Sequence, residues 1–179
     1  MARFPFVLLA LSLAACGGSP RPHTGPNLAA AHSYGGLTCA PFARELTGLQ
    51  LSGDAADWWG QASGRYARVS RPEVGGVLVF RRSSRLPYGH VSVVSRVLDD
   101  RHIHVIQANW MPDELDEDQL VVDVSQGNDW SEVRVWYPPA DQIGSHAYAT
   151  FGFIVPPRPF GHDALAGRAE PAARAVTGG

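Results

Sequence analysis

Apolar and polar positions follow two rhythms along this chain. Between residues 39 and 49, apolar side chains at Phe42, Ala43, Leu46 and Leu49 fall three and four apart, the repeat of a helix with one buried face. Thr38 stands at the N-cap position, Pro41 lies in the first turn where a missing N–H costs little, and Gly48 is placed to end the helix. A second short helix is expected from Asp54 to near Gly64, with Asp57 in its first turn and Trp58 and Trp59 along it. Beyond residue 75 the rhythm shortens. Runs at 77–80, 90–97 and 103–107 are rich in Val and Ile and bounded by Gly75-Gly76, Gly89 and Asp99-Asp100, so they read as strands. Weaker candidates lie at 120–124, 132–136 and 151–155. Short connections favour antiparallel pairing, and helices followed by strands predict an α+β domain over residues 34–155.

The two ends carry no such rhythm. Arg3, an apolar run over 4–13 and then small residues give residues 1–15 the layout of a secretory signal, with an apolar stretch too short to span a bilayer. The run closes on Leu13-Ala14-Ala15-Cys16, which resembles a bacterial lipobox. That resemblance implies cleavage before Cys16, lipid on its sulfur, and anchoring in a membrane of the cell envelope. With Gly17 rather than Asp after the cysteine, it implies the periplasmic face of the outer membrane. Residues 16–33 read as a flexible tether, and residues 156–179, rich in Pro, Ala and Gly, as a disordered tail.

Composition narrows the chemistry. The chain has 179 residues, 45% hydrophobic, enough for one domain with a core. A net charge of −2 argues against nucleic-acid binding, and removal of residues 1–15 takes Arg3 away and makes the charge one unit more negative. All 15 basic residues are Arg, so no lysine is present for Schiff-base chemistry. The two cysteines are Cys16 and Cys39. If Cys16 carries lipid, Cys39 is a lone thiol in an oxidising compartment, a setting that flags a reactive nucleophile; the plain alternative is a small buried apolar residue.

Position favours the first reading. A helix N-terminus stabilises negative charge, and an unperturbed thiol is only about 3% thiolate at pH 7. A cysteine nucleophile also needs a base. Of seven histidines, His90 opens a strand after Gly89 and leads His104, which sits mid-strand. A third group must fix the ring tautomer. Gln107 and Asn109 lie two apart on a strand and so share a face, and either amide oxygen would serve.

Five segments together resemble one family: residues 39–44 (CAPFAR), 53–59 (GDAADWW), 71–80 (RPEVGGVLVF), 89–94 (GHVSVV) and 107–110 (QANW). In order and spacing, residues 34–110 are similar to the CHAP domain, the cysteine- and histidine-dependent amidohydrolases and peptidases. The resemblance implies a papain-like α+β fold with N-terminal helices packed on an antiparallel sheet, cleavage of amide bonds in peptidoglycan through a thioester, and no cofactor or metal. It implies Cys39 as nucleophile, His90 as base and Asn109 as orienter. Many members carry Glu two residues before that Asn; here the position is Gln107, which leaves it an oxyanion or third-member role. Trp58, Trp59, Tyr88 and Trp110 are the candidate substrate contacts.

Two other function classes compete. One is an inactive relative that binds peptidoglycan or regulates another hydrolase. The other is a structural lipoprotein with a buried cysteine. His102 and His104 form a two-residue pair without a third metal ligand, and the acidic run 113–118 lacks a calcium-loop pattern and reads as a solvated loop.

Overall fold

A computed structural model describes residues 32–158 and 160–178. The signal segment, Cys16 and nearly all of the expected tether lie outside the described residues. Helix α1 spans Cys39–Thr47 as the apolar spacing requires, with Phe42, Ala43 and Leu46 buried. It ends at Gly48, whose φ of 76° is the left-handed cap that favours glycine. A 3-10 turn at Ala55–Asp57 leads into the single turn of α2, Trp58–Gln61.

The strands are β1 His32–Ser33, β2 Ala67–Val69, β3 Val77–Phe80, β4 His90–Val97, β5 His102–Ala108, β6 Glu114–Asp123, β7 Glu132–Tyr137, β8 Gln142–Ile143 and β9 Tyr148–Val155. All pairings are antiparallel. They run β6-β5-β4-β3-β9-β7, and β7 pairs back onto β6. The fold is thus α+β, with α1 packed on an antiparallel sheet as expected, but that sheet closes into a barrel. Closure is possible because the ten-residue β6 pairs along β5 on one side and, over 121–123, with β7 on the other. It leaves none of these six strands a bare edge over its whole length.

Side-chain alternation then sorts two cores. Leu78 and Phe80 point into the barrel with Val94, Val105, Trp130 and Phe153, while Val77 and Val79 point out onto α1 and Trp58. That explains why β3 is buried on both faces and reads as a continuous apolar run.

Two expectations are corrected here. The acidic run is not a loop: from Glu114 it is β6, where Leu115, Asp116, Gln119 and Val121 are buried and charges at the intervening positions disguise the strand. Nor is the tail disordered: helix α3, His162–Thr177, lays Leu165, Ala169, Ala172 and Ala173 against α1 and the outer core. Alanine is the strongest helix former, so a composition suggesting a spacer also supports a helix once a face can be buried. Leu165→Ala should therefore cost about 2–5 kcal/mol of stability, read from urea denaturation; no change would mean that α3 is undocked.

Candidate active site

Cys39 is the first residue of α1, after Thr38 in extended conformation, so its sulfur stands at the helix N-terminus. Hydrogen bonding from the His90 ring and from the Val91 and Ala40 backbone favours its thiolate. Burial pushes the Cys39 thiol up, but the His90 charge and these hydrogen bonds outweigh burial and hold it below its ordinary value.

His90 opens β4 and is 3% exposed. Gly89 before it has φ of 72°, and a Cβ there would sit 2.6 Å from Ala56 Cβ and 2.8 Å from the Phe80 carbonyl, so the approach requires glycine. The ring is packed edge-on by Phe80 and Trp110, at centroid distances of 5.5 and 5.1 Å. Burial favours the neutral ring, yet the Cys39 charge, hydrogen bonds to Cys39 and Gln107, and the Asp116 charge raise its pKa. Both partners move toward the thiolate–imidazolium pair. Iodoacetamide should therefore modify Cys39 rapidly at pH 6, where an ordinary thiol is less than about 1% ionised, and His90→Ala should move the pH–rate midpoint up. Peptide mapping would follow the adduct; reaction only above about pH 8 would contradict the pair.

The tautomer follows from a relay of amides. The Trp136 carbonyl accepts from Gln119 Nε2 at 2.9 Å, which turns Gln119 Oε1 toward Gln107 Nε2, its donor. Gln107 Oε1 then faces His90 Nε2 at 2.9 Å and also accepts from the Ser92 hydroxyl. An oxygen there makes Nε2 the protonated nitrogen and leaves Nδ1 for the sulfur.

Gln107, not Asn109, is therefore the amide whose oxygen faces the His90 ring. Asn109 has left the strand: its φ is 60°, its N–H donates to the Glu114 carbonyl at 2.7 Å and its Oδ1 accepts from the Asp113 N–H at 3.0 Å. It still lines the cavity of about 450 Å³ in front of Cys39 and His90, together with Tyr88, Trp110, Asp54 and Arg85. Arg82 clamps Asp54 and Asp57 at 2.7 Å each, holding one lip of that cavity. A second cavity of about 220 Å³ adjoins it, sharing Arg85 and Trp110 and bounded by His146 and Tyr148.

The four candidate aromatic contacts divide. Tyr88, 67% exposed, and Trp110 line the cavity. Trp58 is fully buried in the outer core, and Trp59 stacks on Phe151 with Arg68 over its ring, away from the lining. His102 bonds Asp99 through Nδ1 at 2.8 Å, and His104 stands 4.0 Å from Asp118, both on β5 and neither in the cavity. No group of three His, Cys, Asp or Glu among the described residues could hold a metal.

Ser92 and Gln119 escaped the sequence reading. Ser92 lies two residues after His90, so the strand period places it on the same face. Gln119 sits between the acidic run 113–118 and Leu120-Val121-Val122, and no local pattern marks it.

Residues 29–109 match the family model of the CHAP domain, just under half of the chain, and the match spans Cys39, His90, Gln107 and Asn109. No curated protein matches the chain.

Proposed function

We propose that this CHAP-domain protein is a peptidoglycan hydrolase that cuts amide bonds with Cys39 as nucleophile, His90 as acid and base, and Gln107 as orienter. The observation carrying this reading is that a helix-terminal thiol and a buried imidazole line the wall of one cavity. The Cys39 thiolate attacks the amide carbonyl, forming a C–S bond and a tetrahedral oxyanion. The Cys39 N–H at the start of α1 stabilises that charge, together with Asn109, whose committed Oδ1 leaves only its NH2 to offer. Collapse breaks the C–N bond as His90 Nδ1 gives its proton to the departing amine. Water then attacks the thioester, His90 takes its proton, and a carboxylic acid leaves Cys39 free.

The two adjoining cavities suit an extended, branched substrate such as a stem peptide or cross-bridge, with Tyr88 and Trp110 as its aromatic contacts. In this reading the papain-like likeness lies in the placement of cysteine and histidine, with the barrel as the scaffold. Lipid on Cys16 would tether the domain at the periplasmic face of the outer membrane, within reach of the wall. Incubation with purified sacculi followed by mass spectrometry of released fragments tests the reading. New amine and carboxyl ends at one kind of amide bond are expected; unchanged sacculi would sink it.

A further inference from the structure

An imidazolium sealed from water needs a counter-charge, and the third group on His90 here is a neutral amide. One strand further on there is a carboxylate. In the β5–β6 ladder Gln107 is the direct partner of Asp116, so their side chains project from the same side of the sheet. Asp116 is only 9% exposed, and its Oδ2 has no hydrogen-bond partner among the described residues. A buried carboxylate oxygen left without a donor is costly unless its charge is used.

We propose that Asp116 is a positioning residue of this site: its carboxylate, behind the Gln107 amide, stabilises the His90 imidazolium through space. The proposal rests on the Cys39–His90 reading above. The charged groups acting on His90 are Cys39 from α1 and Asp116 from β6; Phe80 and Trp110 against the ring are neutral. Burial and the neighbouring Glu114 push the Asp116 carboxyl up to about 6, against the opposing pull of His90. Asp116 thus lends its charge above about pH 6 and withdraws it below.

NMR titration of the His90 ring in the full-length chain tests this. A Cys39→Ser background removes the thiolate, so Asp116 remains as the charged partner. Asp116→Asn should lower the His90 midpoint by about one pH unit or more, and adding Gln107→Glu should restore it by placing a carboxylate on the ring itself. An unchanged midpoint in folded Asp116→Asn overturns the proposal. If that variant does not fold, the Cys39→Ser chain still decides: the His90 ring and the Asp116 carboxyl carbon should share an inflection near pH 6, and its absence is equally fatal. Sacculus digestion is scored separately with unsubstituted protein. Hydrolysis without the titration shift overturns the role of Asp116 alone; the shift without hydrolysis overturns the hydrolase reading alone.

Discussion

Cys39→Ala is expected to abolish fragment release from sacculi, a loss of at least about 10⁴-fold, while leaving the fold intact. The size follows from chemistry. Without the sulfur no thioester forms, and the remaining helix terminus and His90 can only orient water. The intact fold follows from position. Cys39 is half-buried on the cavity wall and packs only at the margin of the outer core, which Phe42, Leu46 and Leu49 fill without it. Removing one sulfur from a wall that already faces a cavity opens no new sealed void. Cys39→Ser should be nearly as inactive, because a hydroxyl, far less acidic than a thiol, gains little from surroundings tuned to a thiolate. Mass-spectrometric quantitation of released fragments, with circular dichroism as the control for folding, measures both. Retained release by Cys39→Ala would end the nucleophile assignment.

Much of this site was legible because its signals are local. The Thr38–Pro41–Gly48 punctuation placed Cys39 at a helix start, and Gly89 before a Val-rich run placed His90 at a strand start. What the sequence hid depends on long-range pairing. The two-residue period that put Gln107 and Asn109 on one face holds only while the chain is a strand, and β5 ends at Ala108; one residue later φ is 60° and the side chain turns to Asp113. Barrel closure requires β6 to meet β7, and register shifts at Val94/Arg96 and Val105/Gln107 bend the strands along the way. Gln119 could not be placed against Gln107, nor Asp116 opposite it across the ladder, without that register. Trp58 and Trp59 looked alike in sequence because neither composition nor spacing says which face of a one-turn helix is sealed.

Geometry therefore decides which amide matters more. Gln107→Ala should cost about 10²–10⁴ in rate, and Asn109→Ala clearly less. The alanine at 107 removes the acceptor of the His90 Nε2 proton and leaves the Ser92 hydroxyl and Gln119 Oε1 unpaired in a buried layer. The ring is then free to place its proton on Nδ1, the nitrogen that must accept from the thiol, so the active tautomer is no longer enforced. At 109 an alanine loses one hydrogen bond to Asp113 and one donor to the oxyanion, and it strains a left-handed backbone position. The first two changes bear on turn stability and substrate charge rather than on the His90 tautomer. Initial rates on sacculi, paired with Cys39 alkylation profiles, separate the effects. Gln107→Ala should depress both rate and alkylation at pH 6, whereas Asn109→Ala should lower the rate with the alkylation profile unmoved. A larger loss at 109, with alkylation disturbed there and not at 107, would return the orienting role to Asn109 and strip the amide relay of its part in the chemistry.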